Sequence, residues 1–192
     1  MVQITRFLTV LSVAAVGLAL TVKRDAATVE ADIAKISSQV TTLDNAIEAY
    51  PPHRWNSCQC SGMPFCDDCH AIHTDATNLI TTLNGAVTDV TVATPQLSEA
   101  DGRTILTSVE AIEPVILDAL TDIVVKKPAF AALPIGGIPA LILQDLEKLK
   151  TATVAFSSGL ITIAPPDLVD EATDLSNNIT AAFDPAIAAY SS

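Results

Sequence analysis

Apolar residues recur at alternating spacings of four and three along much of this 192-residue chain, and this periodicity constrains its fold more than any other feature. Such spacing places the apolar side chains on one face of an α-helix. The stretches that show it cover residues 29–50, 72–90, 105–123, 142–163 and 168–190. No stretch shows the sustained period-two alternation that is typical of half-buried β-strands. The pattern therefore predicts five amphipathic helices.

Capping and breaking residues separate these five segments. Ser98 and Asp101 have the spacing of a capping box at a helix start. Pro139 suits the first turn of the fourth helix, and we expect Lys126-Lys127-Pro128 to end the third, with its cations at the negative helix terminus. Each stripe stops after about three heptads, which disfavours an extended coiled coil. We predict an all-α fold, an antiparallel bundle of about five amphipathic helices.

Residues 1–20 have the form of a secretory signal peptide. Arg6 precedes an apolar run that begins at Phe7 and ends among small residues near Leu20. This run is shorter than the ~20 apolar residues that a membrane-spanning helix needs, so we expect export and no membrane span. Lys23-Arg24 suits a processing protease. We therefore interpret residues 21–24 as a dibasic pro-segment and residues 25–192 as a single helical-bundle domain.

The charge of the chain excludes one large class of partners. The net charge is −12, and it would become −15 after loss of residues 1–24, because three of the ten basic residues and none of the 22 acidic ones lie there. Such an acidic protein repels the phosphate backbone of nucleic acids. We therefore expect no nucleic-acid partner.

Few residues have the pattern that catalysis requires. All three histidines lie between residues 53 and 73, and the chain has neither a Gly-x-Ser-x-Gly motif nor a glycine-rich phosphate loop. The acidic residues are spread in ones and twos over predicted helix faces, where solvation explains them. We interpret the chain as a non-enzymatic binding or structural protein with no catalytic residue and no cofactor.

The segment LPIGGIP at residues 133–139 is apolar where a polar turn is usual. Leu133, Ile135 and Ile138 either tuck under the end of the bundle as a plug or form a lip that contacts a ligand or a surface. Phe130 and Phe156 are further candidate contacts, although aromatic residues at helical spacing more often belong to a core. Both interpretations remain open at this point.

A cysteine-rich loop covers residues 51–70 and holds all the cysteines, which are Cys58, Cys60, Cys66 and Cys69. In an exported chain, cysteines tend to pair with one another, which favours disulfides between the first two and the last two. The Cys-x-x-Cys spacing with histidines nearby is also usual in structural zinc sites. We favour disulfides and assign no metal ligand.

Segments along nearly the whole of residues 25–192 together resemble one known family. They read DIAKISSQVTTLDNAIEAY, AIHTDATNLITTLN, LSEADGRTIL, KKPAFAALPIGGIPALILQDL, APPDLVDEATDL and AAFDPAIAAY. These segments resemble the fungal hydrophobic surface binding protein A family, which includes cell-wall galactomannoproteins. None of them is a catalytic motif.

The resemblance implies a secreted or cell-wall protein that adsorbs to hydrophobic solid surfaces and, in some members, recruits esterases such as cutinases. The alternative that it implies is a wall mannoprotein that binds long-chain fatty acids inside its bundle. Asn178-Ile179-Thr180 is the only N-glycosylation sequon in the chain, so Asn178 is the candidate site of a glycan.

The loop at residues 51–70 departs from this resemblance, which implies a short loop of Gly, Ser and Ala without cysteines. A shifted reading frame can account for the difference, because the codons of His53-Arg54-Trp55-Asn56 can then read Thr-Gly-Gly-Thr. An error in the gene model is therefore a third hypothesis for this loop, beside disulfides and zinc.

Overall fold

The computed structural model of the chain describes residues 11–50, 67–92, 96–133 and 136–191. In the first helix it describes the side chains from residue 26 onward, and in the second helix from residue 69 onward. Its elements are α1 (Leu11–Ala49), α2 (Asp67–Val92), α3 (Glu99–Ala131), α4 (Ile138–Ile163), a 3₁₀ turn (Pro166–Leu168) and α5 (Val169–Tyr190). These described residues contain no β-strand, and the predicted all-α bundle is confirmed. The predicted signal peptide, pro-segment and domain boundaries stay predictions.

The predicted apolar stripes form the core. Every stripe position is buried on α1 and α2, from Val29 to Tyr50 and from Ile72 to Val90. The other three stripes are buried as well, apart from five half-buried positions, which are Val109, Ile116, Thr153, Leu160 and Ala172. Those five positions all border internal cavities that are described below.

The five helices close into a ring. Around it the order is α1, α2, α4, α5 and α3, and α3 packs against α1 to complete the circle. The backbones of α3 and α4 also approach each other across the ring, whereas among the described residues α1 approaches neither α4 nor α5. A ring of five helices encloses more central space than a four-helix bundle, and side chains from every helix must fill it.

Consecutive helices run antiparallel, as predicted, but neighbours around the ring do not all alternate. The ends of α1, α3 and α5 meet, since Lys126 reaches the carbonyls of Glu48 and Tyr50 while Lys127 reaches that of Ala189. An odd number of helices cannot alternate direction around a closed ring. Here α1, α3 and α5 run one way, and α2 and α4 run the other.

The expected end of the third helix at Lys126-Lys127-Pro128 is wrong, because α3 continues through Pro128 to Ala131. Tertiary contacts hold this last turn: Phe130 is 1% exposed and stacks on Tyr50 with ring centroids 4.3 Å apart. The two lysines do act at negative helix ends, but at those of α1 and α5. Three carboxyl ends meet there, so nearby cations are favourable.

Local signals at helix starts agree with the structure. Ser98 is the N-cap of α3; its hydroxyl accepts a hydrogen bond from the Asp101 amide at 3.2 Å and donates to the Asp101 carboxylate at 2.7 Å. Gly137 precedes α4 with a φ of 90°, a conformation that favours glycine, and Pro139 lies in the first turn. In the first turns of α3, a Cβ at Gly102 would lie 2.6 Å from the Pro165 ring, so only glycine lets the α4–α5 connection pack there.

Carboxyl groups face each other on both sides of α1. Burial, and then the nearby Asp89 of α2, raise the pKa of Asp32 above its ordinary value. Burial, and then Asp118 and Asp122 of α3, likewise raise the pKa of Asp44. At neutral pH these repulsions therefore work against the packing of α1 on both of its neighbours.

We expect Asp32 and Asp44 to stabilise the protein increasingly as pH falls through their raised pKa values towards the ordinary value of 3.8, because a raised pKa means that the folded state binds protons that the unfolded state releases. The effect is lost as pH rises through the raised pKa values. Asp32→Asn should raise the melting temperature at neutral pH and flatten its pH dependence. The exposed Asp174→Asn is the matched control, and equal effects of the two variants in thermal melts would contradict the assignment.

Candidate functional site

A cavity of about 110 Å³ lies in the middle of the ring. All five helices contribute to its walls, for example through Ile36 of α1, Leu83 of α2, Ile116 of α3, Phe156 of α4 and Phe183 of α5. We call it the central cavity. Leucine and phenylalanine side chains line this cavity together with shorter ones, such as those of Val109, Ala119 and Ser157, and the axis is left partly unfilled.

A second cavity of about 60 Å³, the end cavity, lies between α3, α4 and α5. It is placed near the end of the bundle where the Leu97 amide donates a 2.9 Å hydrogen bond to the Ile163 carbonyl. The two cavities share wall residues, which are Val109, Ser157, Leu160 and Ile179. They therefore adjoin, with these four residues between them, and we call the two cavities together the apolar path.

The walls of both cavities contain three hydroxyl groups and no charged residue. Thr153 borders the central cavity, Ser176 borders the end cavity, and Ser157 borders both. The Ser176 hydroxyl donates to the Ser157 hydroxyl at 2.8 Å, and the latter donates to the Val154 carbonyl at 3.2 Å. This hydroxyl pair, Ser157 and Ser176, joins α4 to α5 at the junction of the two cavities.

Among the described residues, the walls of both cavities are apolar apart from these hydroxyl groups, and such a surface suits an apolar ligand. Apolar cavities of about 150 Å³ bind molecules the size of benzene. The two cavities here measure about 110 and 60 Å³, so a longer apolar ligand requires the helices to move apart. Such a ligand would meet two hydroxyl groups where the cavities adjoin and a third, that of Thr153, about one helical turn away in the central cavity.

The apolar residues that the sequence predicts as candidate ligand or surface contacts lie at different places in the structure. Phe156 borders the central cavity, whereas Phe130, in the last turn of α3, is packed on Tyr50. Ile138 is buried and Leu133 is half-buried against the core. Ile135 lies outside the described residues, as does Pro134.

Cys69 and Asn178, the described members of the remaining predicted sites, border neither cavity. The half-buried Cys69 Sγ donates to the Tyr50 hydroxyl at 3.5 Å, while Cys58, Cys60 and Cys66 lie outside the described residues. Asn178 is exposed on α5, as a glycan would require. The disulfides and the glycan stay predictions. In the part of the chain that the structure describes, no cluster of three or more potential metal ligands occurs.

Sequence reasoning missed a polar pair inside the apolar interface of α2 and α4. The His73 Nδ1 lies 2.6 Å from the carboxylate of Asp145, whose exposure is only 7%. Asp145 follows Ile142 by three residues and precedes Leu149 by four, so an acid at stripe spacing was the available signal. Ser157 and Ser176 gave no such signal, because hydroxyl residues are common on every helix of this chain.

A family model for hydrophobic surface binding protein A matches residues 26–162, which is more than half of the chain. The chain belongs to the hydrophobic surface binding protein A family. Cell wall mannoprotein 1 of Aspergillus fumigatus is 28% identical to this family member over 158 residues, or 82% of the chain. The chain spans about half, 49%, of the length of that relative.

Solved structures resemble this family member in fold. AfMp4p in complex with palmitic acid has a TM-score of 0.73 and 27% identity, over 86% of this chain and 99% of AfMp4p. Ligand binding domain 1 of the Penicillium marneffei MP1 protein, complexed with arachidonic acids, has a TM-score of 0.63 and 21% identity, over 86% and 98% of the two chains. The second likeness shows the fold alone.

Filling the central cavity should stabilise the bundle. Ala119→Leu adds apolar volume to the cavity wall and is expected to raise the free energy of unfolding by about 0.5–2 kcal/mol. Ala86, at 1% exposure, borders neither cavity, and Ala86→Leu is the matched control, with an expected loss of about 1–3 kcal/mol from overpacking. Urea denaturation measures both, and a loss at Ala119 as large as that at Ala86 would contradict a cavity there.

Proposed function

We propose that this member of the hydrophobic surface binding protein A family is a non-enzymatic extracellular or cell-wall protein that binds long-chain fatty acids inside its helical ring. The observation that carries the proposal is the apolar path formed by the central and end cavities, which has hydroxyl groups at its junction and no charged wall residue. Apolar pockets with a few polar groups are typical of lipid sites.

The energetics favour an acyl chain as the ligand. Each methylene group that leaves water contributes ~0.8 kcal/mol of binding free energy, so a chain of many methylenes can offset the free-energy cost of partly separating the helices. Because the core already contains the cavities, fewer packing contacts between side chains are lost when a ligand enters.

The hydroxyl pair offers a place for the acid group. Ser157 and Ser176 are half-buried between α4 and α5, so water can reach a head group there while the chain enters the central cavity. Hydroxyl donors can bond a carboxyl oxygen, and hydrogen bonds of this kind contribute about 0.5–1.5 kcal/mol each, or more when the acceptor is charged.

The relatives support a fatty acid as the ligand class. AfMp4p was crystallised with palmitic acid, and it shares 27% of its residues with this chain over nearly its whole length. Among the described helices, none is long and apolar enough to cross a bilayer. A location in the fungal cell wall is consistent with the cell wall mannoprotein relative and with the predicted signal peptide.

We expect one folded protein to take up palmitic acid, measured by native mass spectrometry after removal of residual lipid. Ser157→Ala and Ser176→Ala should each weaken binding about 2- to 10-fold, since each removes one hydrogen-bonding hydroxyl. The exposed neighbour Ser158→Ala should have no effect. Absence of uptake by the wild-type protein would contradict the proposal, and equal losses in all three variants would contradict the role of the hydroxyl pair.

Adsorption to hydrophobic surfaces is a second candidate function, favoured by the family match over residues 26–162. In that case, the protein would adsorb to apolar solid surfaces and recruit a secreted esterase or cutinase to them. Adsorption requires the helices to expose the cavity walls, because few large apolar residues are exposed on the described surface, Val125 and Val154 among them.

If adsorption is a function, binding to a polyester film should survive about 1 M salt, because apolar contacts are not screened by ions. Ala119→Leu should adsorb more slowly, since a filled and more stable ring opens less often. Retention on the film is measured by quartz microbalance, with Ala86→Leu as the destabilised comparison. Release by salt would contradict adsorption through apolar contacts.

A further inference from the structure

The hydroxyl pair lies near the middle of the apolar path, not at one end. Along α4 the path extends from Leu149 in the central cavity to Ala164 in the end cavity. At 1.5 Å per residue, Ser157 is about 12 Å from the first and about 11 Å from the second. A ligand with its polar group at one terminus would fill the space on one side of the pair and leave the other side empty.

The surroundings of the pair favour an uncharged polar group. Neither cavity wall includes a lysine, arginine or histidine, so an ionised head group would have no opposite charge beside it. At a half-buried place an ion with no opposite charge beside it loses part of its hydration, which is costly, whereas a neutral oxygen needs only one hydrogen-bond donor. The Ser176 hydroxyl can supply that donor by turning from Ser157, which keeps its bond to the Val154 carbonyl.

We propose that the preferred ligand class is a lipid with an uncharged oxygen group in its middle and an apolar chain on each side, of which a long-chain ester is the simplest. This inference rests on the proposed function, because it uses the same cavities. One chain lies in the central cavity, the other lies in the end cavity, and the ester carbonyl accepts a hydrogen bond from Ser176. No covalent bond is formed or broken.

The probe is decyl decanoate, whose two arms are equal and match the two sides of the path. Heneicosane, an alkane with the same number of chain atoms, lacks the oxygen group, and decanoic acid supplies one arm with a head group. Each is delivered from cyclodextrin to the delipidated full chain. Native mass spectrometry gives the stoichiometry, and displacement of diphenylhexatriene fluorescence gives the affinity.

The first comparison isolates the hydrogen bond. Ser176→Ala should weaken binding of decyl decanoate about 5- to 10-fold and change heneicosane binding by less than about twofold, because only the ester can use the hydroxyl. Ser176→Thr, which retains a hydroxyl, should restore ester binding. Circular dichroism confirms that the variants are folded. Equal effects of Ser176→Ala on the two ligands would overturn the central placement of the polar group.

The second comparison isolates the two arms. Ala172 borders only the end cavity, so Ala172→Leu should weaken binding of the ester at least about fivefold while decanoic acid binds as before. Ala119 borders only the central cavity, and Ala119→Leu should weaken binding of both ligands. Equal loss of ester and acid in Ala172→Leu would overturn the two-armed arrangement.

The outcomes separate this inference from the proposed function. Uptake of palmitic acid without uptake of decyl decanoate supports the proposed function and overturns the inference. Uptake of neither ligand overturns both. Uptake of the ester at one per chain, with the two variant patterns above, supports the inference.

Discussion

The packing of five helices in one closed ring determines most other features of this protein. Each helix has two ring neighbours, and its apolar stripe must cover both of them and also face the axis. Stripes about three heptads long supply enough apolar surface to pack against both neighbouring helices. At the axis, however, side chains from five directions converge, and residues such as Val109 and Thr153 are too short to meet there. The cavities follow from this geometry.

The odd number of helices has an electrostatic consequence. Three carboxyl ends, those of α1, α3 and α5, lie together, and their partial negative charges add. Two adjacent lysines of α3 donate to the carbonyls at the ends of the other two helices. A chain with only ten basic residues therefore uses two of them at one place. Elsewhere, carboxyl groups of α1 face carboxyl groups of both neighbouring helices. The lysines therefore attach α1 to α3 at its carboxyl end, while charge repulsion acts between α1 and its neighbours along its length.

The sequence predicted the helices well because helical periodicity is a local property. Nearly every stripe residue from Val29 to Tyr190 faces inward. The five half-buried exceptions could not be predicted, since they depend on how much space lies opposite them. Phe130 and Phe156 show the same limit: both are buried phenylalanines on helices, yet one stacks on Tyr50 and the other borders a cavity. Pro128 misled the prediction because tertiary contacts outweighed its local effect on α3.

By itself, the sequence determined the helices, their caps, the acidic exterior and the resemblance to a family, because each of these depends on residues near one another or on composition. Only the tertiary structure decided the ring order, the shared end of α1, α3 and α5, and the cavities. It alone brought Ser157 within 2.8 Å of Ser176 and His73 within 2.6 Å of Asp145. The reason is physical: these contacts join residues on different helices, and the packing of the whole ring sets which helices meet.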